Sequence, residues 1–199
     1  MIMTKVNRTI ERGDLIASDE YAKNRKQFRK ELVEFKKNRR ISVGPYATFY
    51  FESFETILGQ IQEMLHIEKG GEEQLKDELN AYNPLIPKGK ELIATLMFEI
   101  DDADRRDREL RRLTGVERKI ELRLGKSVVH AIPEDEVNRT KADGKTSSIH
   151  FVRFPLGKAL AKSFPDKSQK LELAVTHSNY GHVAVISDEA RNALAADLE

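Results

Sequence analysis

The stretch ELIATLMFEI, residues 91–100, decides the class of fold because its apolar residues alternate. On an extended chain, one face of this stretch carries Leu92, Ala94, Leu96, Phe98 and Ile100. A period of two is typical of a strand with one well-buried face, whereas a helix repeats its apolar residues every three or four positions. The stretch therefore predicts a long strand. It divides the chain into a mostly helical part at about 10–90 and a sheet-rich part at about 91–199.

Upstream of this strand the apolar spacing is helical. A long helix is predicted over residues 19–40, with a basic last turn that suits the negative end of the helix dipole. A helical hairpin is predicted over residues 54–69 and 72–82, with Gly70-Gly71 between its helices. Ser18 and Ser53 are the predicted N-caps, because a serine oxygen can accept a bond from an unpaired amide of the first turn. Between the first two helices, ISVGPYATFYFE favours extended chain broken by a Gly-Pro pair.

Downstream, two β-hairpins are predicted. In VERKIELRLGKSVVHAIP, residues 116–133, a two-residue turn at Gly125-Lys126 sets Glu121 opposite His130 as a cross-strand charge pair. The second hairpin is KLELAVTHSNYGHVAVIS, residues 170–187. A further strand is predicted at 148–154, and a long polar loop at 133–147. Three short helices are predicted at 101–113, 155–164 and 188–199. The predicted fold is a single α+β domain in which the N-terminal helices pack on a mainly antiparallel sheet with short inserted helices.

Composition narrows the class of protein and of site. The chain has 199 residues, 39% hydrophobic and 34% charged, with a net charge of +1. It has no cysteine, which excludes disulfides, a thiolate zinc site, cysteine catalysis and an iron–sulfur cluster ligated by this chain. A metal would therefore need His, Asp or Glu ligands. No apolar run approaches the roughly 18 residues of a membrane span, and no signal peptide is apparent, so we expect a cytoplasmic protein without a membrane partner.

Long ordered runs carry a resemblance to a known family. They are FYFESFETILGQIQEMLHIEKGGEEQLKDELNAYNPLIPKGKELIATLMFEID at 49–101, GKTSSIHFVRF at 144–154 and HSNYGHVAV at 177–185. Over roughly residues 12–198 the chain resembles an uncharacterised bacterial family, catalogued as domain of unknown function 3501. The resemblance implies no activity and fixes no residue's role. It implies a context, because such proteins are often encoded beside rubrerythrin-like diiron proteins and iron–sulfur oxidoreductases, which favours redox or metal chemistry and a redox partner.

The leading candidate site is a pair of histidines in the second hairpin. If SNYG is a four-residue loop, His177 lies directly opposite His182, and cross-strand Cβ atoms are roughly 5 Å apart. Two imidazoles at this separation can converge on one ion. One carboxylate would complete a two-His, one-carboxylate set suited to non-haem iron, and it would come from Glu63, Glu68, Glu78 or Glu99. The alternative is two histidines that are hydrogen-bonded around a tight loop, with Tyr180 as a lid.

A second candidate is the i, i+3 pair of Glu63 and His66, the spacing of metal ligands in ferritin-like bundles. At about 100° per residue, both lie with Glu52 and Gly59 on the helix face opposite the main apolar stripe. Ferritin-like sites need two such motifs and two further glutamates, and this chain offers one motif. A solvated or interface-facing pair is therefore the alternative. Glu68 falls on the apolar stripe near its end, where a carboxylate is either paired with Lys or Arg or binds a ligand.

The remaining motifs give weaker indications of a functional site. GKTS at 144–147 is not a phosphate loop, because the first glycine of that motif is missing and a strand follows. Lys145, Thr146 and Arg153 remain candidates for binding an anion. His150 shares its strand face with Val152 and is interpreted as a satisfied, half-buried histidine. No dinucleotide fingerprint occurs, so no nucleotide cofactor is expected.

Charge argues against a nucleic-acid partner. Residues 1–40 carry 12 Lys and Arg against 6 Asp and Glu, a balance of +6. Residues 41–100 carry 4 against 10, a balance of −6, so the two blocks can neutralise each other within the chain.

Two functional hypotheses follow from these residues. In the first, a pocket between the helices and the sheet binds iron, manganese or zinc for redox or peroxide-related metabolism. Its ligands would be His177 and His182, with Glu63, Glu68 or His66 completing the set, and the sequence leaves open whether the metal is catalytic. In the second, the protein is a non-enzymatic scaffold with structural histidines. Helix 19–40 and the helix face of Glu52, Gly59 and His66 would then form a homodimer or dock on a redox partner.

Overall fold

The order of elements along the chain confirms the α+β class. The structure, a computed structural model, describes residues 8–134 and 144–199. The helices in these ranges are α1 (Ser18–Lys36), α2 (Phe54–Glu68), α3 (Gly71–Tyr82), α4 (Ala103–Arg112), α5 (Gly157–Ser163) and α6 (Asp188–Ala195). The strands are β1 (Arg40–Val43), β2 (Ala47–Phe51), β3 (Glu91–Phe98), β4 (Ile120–Leu124), β5 (Ser127–His130), β6 (Ile132–Pro133), β7 (Ile149–Pro155), β8 (Leu171–His177) and β9 (Tyr180–Val185). Most of the predicted polar loop at 133–147 lies outside the described residues.

The chain divides into two compact units. The helical unit comprises Met1–Lys37 and Glu52–Lys88, and the sheet unit comprises Asn38–Phe51 and Gly89–Glu199. The division after Lys88 matches the predicted change from helical to alternating periodicity. However, β1 and β2 belong to the sheet unit although they precede the helical hairpin in sequence. Whether the units act as one domain, as the sequence predicts, stays a prediction.

In the helical unit, α1 packs on α2 and α2 packs on α3. Ser53 is the predicted cap of α2, since its Oγ accepts a bond from Thr56 N at 3.3 Å and its amide donates to Thr56 Oγ1 at 2.9 Å. The predicted cap at Ser18 is wrong. Ser18 is already helical, and the N-cap residue is Ala17, which has no side-chain oxygen.

A glycine on α2 allows α1 to come close. A Cβ built on Gly59 would lie 2.5 Å from Cδ2 of Leu32, so a larger residue would force the α1 side chain to move. The α2 face opposite its apolar stripe is therefore in contact with α1 at Gly59. Glu52, Gly59 and His66 on this face remain half-buried, and docking of a second copy or of a redox partner on them stays a prediction.

The sheet unit contains two antiparallel sheets rather than the single sheet that the sequence predicts. Sheet 1 has the order β1-β2-β3-β7-β6, and sheet 2 has the order β5-β4-β8-β9. One apolar core spans both sheets, and it includes the predicted face of β3. Ile93 and Thr95, on the other face of β3, are also buried, so this strand has two buried faces. Within the described ranges, no helix is long and apolar enough to span a membrane.

The two hairpins differ in how well local sequence predicts their register. The turn at Gly125-Lys126 is confirmed, and Glu121 pairs with His130 as expected, with 3.8 Å between Oε1 and Nδ1. The register predicted for the second hairpin is wrong. The turn contains only Ser178 and Asn179, so His177 lies opposite Tyr180 and His182 opposite Val175.

Tyr180 explains the tighter turn. Its hydroxyl donates to Val43 O at 2.7 Å and accepts from the amides of Tyr46 and Ala47 at 3.2 and 3.1 Å. These bonds bury Tyr180 in the β1–β2 turn, and the ring must point inward from a regular strand position to make them. Tyr180 is thus a structural anchor rather than a lid.

Candidate functional site

His177 has both ring nitrogens engaged. Its Nδ1 accepts a bond from the Asn179 amide at 3.2 Å, and its Nε2 lies 3.2 Å from the carbonyl oxygen of Thr114. Because a backbone amide can only donate, Nδ1 must be unprotonated, and Nε2 then carries the proton that it donates to Thr114. A neutral ring in this tautomer satisfies both partners. To ligate a metal, His177 would have to give up one of these bonds.

His182 does not stand opposite His177. It lies diagonally across the hairpin on the same sheet face, a position from which cross-strand side chains are about 7–8 Å apart. Its ring packs edge-on against Tyr180, with 4.4 Å between centroids. Among residues 8–134 and 144–199, no three His, Asp or Glu side chains are grouped so as to hold a metal ion. Metal binding stays a prediction.

Glu63 is the centre of a polar cluster between α1 and α2. Its carboxylate accepts a bond from the Tyr21 hydroxyl at 2.8 Å and two from Arg25, of which the one from Nε measures 3.1 Å. The bonds from Arg25, helped by Tyr21 and opposed by partial burial, lower the pKa of Glu63 from 4.5 to about 2. Burial and then the bond to Glu63 raise the pKa of Tyr21 to about 12. His66 lies edge-on to the Tyr21 ring, with centroids 5.6 Å apart, so the predicted Glu63–His66 pair contributes to the α1–α2 contact.

The other carboxylates proposed as ligands also have protein partners. Glu68 is exposed and accepts a bond from Gln74 Nε2 at 3.0 Å, and within the described ranges it forms no ion pair with Lys or Arg. Glu78 accepts from the same amide at 3.3 Å. Glu99 accepts bonds from three groups of the sheet unit, Thr48 Oγ1 at 2.6 Å, Tyr50 Oη at 2.6 Å and Arg40 Nη2 at 3.0 Å.

The three predicted anion ligands have separate partners. Lys145 Nζ lies 2.6 Å from Asp107 Oδ1, and hydrogen bonds from Lys145 and then Arg111 lower the pKa of Asp107 to about 2. Arg153 is paired with Glu91 at 2.5 Å, on the neighbouring strand β3.

The third anion candidate, Thr146, is buried beside a histidine. Its Oγ1 is 3.3 Å from Nε2 of His150, which also lies 2.9 Å from Ser147 O. His150 is only 1% exposed, so it is more deeply buried than the sequence predicts. It shares the core face of β7 with Val152, as expected, and packs edge-on against Phe98.

Helix α1 carries a different kind of surface. Lys23, Lys26, Lys30 and Val33 are all exposed and follow the spacing i, i+3, i+7, i+10, which aligns them on one face about 15 Å long. In the part of the chain that the structure describes, none of the three lysines forms an ion pair. Val33 is 70% exposed at the end of the row. We call these four residues the basic stripe. Their spacing is visible in the sequence, but only the structure separates them from cations such as Arg25 that face inward.

One of the comparisons with known proteins identifies a family. A family model described as "Protein of unknown function (DUF3501)" matches residues 9–198. A solved structure, described as a novel protein of unknown function from Burkholderia pseudomallei, is 36% identical. The match covers 96% of this chain and 100% of that chain, with a TM-score of 0.88. No curated protein matches.

Proposed function

The chain belongs to the DUF3501 family of proteins of unknown function, and from its side-chain geometry we propose that it is a non-enzymatic interaction protein. It docks on an acidic protein surface through the basic stripe of α1. The observation that carries this proposal is a row of three exposed lysines without ion pairs in the described ranges, aligned with an exposed valine. Of the two hypotheses drawn from the sequence, this one keeps helix 19–40 as the docking element.

The state of the other polar groups supports a binding role. A general acid or base must be available to a reacting group. His177, Glu63 and Glu99 are instead engaged in hydrogen bonds within their own units. By contrast, Lys23, Lys26 and Lys30 present their charge to solvent.

The composition of the stripe favours a protein partner with acidic groups. An apolar contact beside charged groups is typical of a protein interface, where charge steers the encounter and sets the partner's orientation. A groove for single-stranded nucleic acid usually combines cations with aromatic platforms, and the stripe contains no aromatic residue. A rubrerythrin-like or iron–sulfur protein, the partner class that the resemblance implies, is one candidate. A second copy of the chain is the other, because α3 exposes Glu73 and Asp77.

The test is a charge reversal of the stripe, Lys23→Glu/Lys26→Glu/Lys30→Glu. The matched control, Lys126→Glu/Lys158→Glu/Lys162→Glu, makes the same change in net charge at exposed lysines of the sheet unit. Each tagged protein is used for affinity purification from native cells with quantitative mass spectrometry, and its mass is measured by sedimentation velocity. We expect the stripe variant to lose a partner, or a dimer, by about tenfold while the control retains it. Equal retention by both variants would refute the proposal.

A specific observation keeps metal binding as a second candidate function. His182 is half-buried, and within the described ranges its ring nitrogens form no hydrogen bond, so a lone pair is available to a ligand. The test is metal analysis of protein purified without a histidine tag, together with His182→Ala and His177→Ala. We expect a stoichiometric metal that both variants lose; a wild-type content below about one-tenth of an equivalent would exclude this function.

A further inference from the structure

The helical unit contains a cleft that the proposed docking function does not use. It measures about 530 Å³ and lies between the segment that enters α1 and the junction of α2 with α3. Four apolar side chains form much of its wall: Leu15, Ile16, Leu65 and Leu75. Small-molecule sites in proteins typically have volumes of about 300–1,000 Å³ and mostly apolar walls. The volume of the cleft lies within this range, and its wall is mostly apolar.

A buried glutamine holds the two sides of the cleft in place. The Oε1 of Gln62, on α2, accepts a bond from the Ile16 amide at 2.9 Å. Its Nε2 donates to the Ile16 carbonyl at 3.2 Å, so the side-chain amide pairs with both polar groups of one residue. Gln62 is only 6% exposed. Because these bonds fix the entering segment against α2, the apolar wall is preformed rather than assembled by a ligand.

The rim of the cleft carries an excess of positive charge. Arg12 is paired with Glu72, which leaves several of its N–H groups unused by that contact. Lys69 forms no ion pair in the part of the chain that the structure describes. It ends α2 with φ +56°, a left-handed conformation that residues with a Cβ rarely adopt. The rim position is therefore occupied by a lysine although glycine would adopt this backbone conformation with less strain.

We propose that this cleft binds an amphipathic monoanion, a molecule with a hydrocarbon body and one carboxylate. The body lies against the leucine and isoleucine wall, and the carboxylate meets Lys69, with Arg12 beside it. A single negative charge fits best, because Glu72 at the same rim repels a second one. The site goes beyond the proposed docking function, since no residue of the basic stripe lines it.

The first experiment titrates octanoate into the full-length protein and follows amide chemical shifts by NMR. We expect one saturable site with a Kd of about 1 mM or lower. Lys69→Gln should weaken octanoate about twofold to fivefold, the upper part of the range for an exposed charge pair, and leave 1-octanol unchanged. Lys76→Gln, an exposed lysine of α3 outside the cleft, is the matched control and should change neither ligand. Octanoate binding without saturation, or equal in the Lys69→Gln and wild-type proteins, overturns the proposal.

The second experiment fills the cleft from opposite sides. Leu65→Trp places a large ring in the wall, and Ser18→Trp does the same from the first turn of α1, where Ser18 has no capping role. Circular dichroism checks that each variant is folded, and the exposed Ser18 position keeps the test available if Leu65→Trp unfolds. We expect loss of octanoate binding in every folded variant. Binding that persists in a folded variant places octanoate elsewhere and overturns the proposal.

The basic-stripe charge reversal separates this site from the docking function. Lys23→Glu/Lys26→Glu/Lys30→Glu should retain the wild-type Kd for octanoate while losing the protein partner. Loss of both activities in this variant, when folded, would contradict the independence of the two sites.

Discussion

Replacing Glu63 with Gln tests the contact between α1 and α2. The substitution keeps the size of the side chain and removes the charge that Arg25 and Tyr21 contact. Hydrogen bonds to a charged group contribute about 1.5–3 kcal/mol each when buried, and exposed ion pairs contribute about 0.2–1 kcal/mol. The side chain of Glu63 is 22% exposed and that of Arg25 is 34% exposed, so an intermediate value applies. We expect Glu63→Gln to lower the free energy of unfolding by about 1–2 kcal/mol at pH 7.

The difference between the two proteins should depend on pH in a defined direction. The pKa of Glu63 is lowered from 4.5 to about 2 in the folded state, so the folded state favours the charged carboxylate. Its stabilisation is therefore fully present above about pH 4.5 and is lost as the pH falls toward 2. The side-chain amide of the Glu63→Gln variant cannot titrate. The difference in the free energy of unfolding should shrink over this range and vanish near its lower end.

The assay is urea denaturation followed by far-ultraviolet circular dichroism at several pH values between 2 and 7. Glu34→Gln is the control, because Glu34 is an exposed α1 carboxylate that lies 3.5 Å from Lys37. It should change the free energy of unfolding by less than about 0.5 kcal/mol at any pH. A Glu63→Gln protein as stable as wild type at pH 7, or a difference that stays constant down to pH 2, would refute the assigned role of Glu63.

Substitutions at three further positions test the fold. Gly44→Ala should lower the free energy of unfolding, measured by thermal denaturation, by about 2–3 kcal/mol, because the φ of Gly44 is +73° and a Cβ would lie 2.6 Å from the His182 ring. A loss below about 0.5 kcal/mol contradicts this packing. Asp197→Asn should lower the free energy of unfolding in urea by about 3–5 kcal/mol, since Asp197 lies 2.5 Å from the buried guanidinium of Arg39. An unchanged free energy of unfolding would mean that another carboxylate pairs with Arg39. Ser53→Ala should cost about 0.5–2 kcal/mol through the lost cap of α2, and Ser53→Thr should restore most of it.

The candidate sites show where prediction from the sequence stops. The i, i+3 spacing of Glu63 and His66 correctly placed both residues on one helix face. What covers that face depends on Gly59 and on the docking of α1, a contact between residues far apart in sequence. The same limit applies to the prediction of the basic stripe. Its spacing is a property of the sequence, but the absence of ion-pair partners for its lysines, within the described residues, depends on which side of α1 faces α2.

The sequence by itself determined the type and order of the helices and strands, the cap at Ser53 and the hairpin at Gly125. These features depend mainly on side chains within a few positions of one another, so local sequence patterns predict them. Only the tertiary structure decided that the strands form two sheets and that His177 faces Tyr180 rather than His182. That register is selected by the Tyr180 hydroxyl, which bonds to the backbone of Val43, 137 residues away in the chain. A local sequence pattern cannot predict this contact, because it forms only when the two sheets pack together.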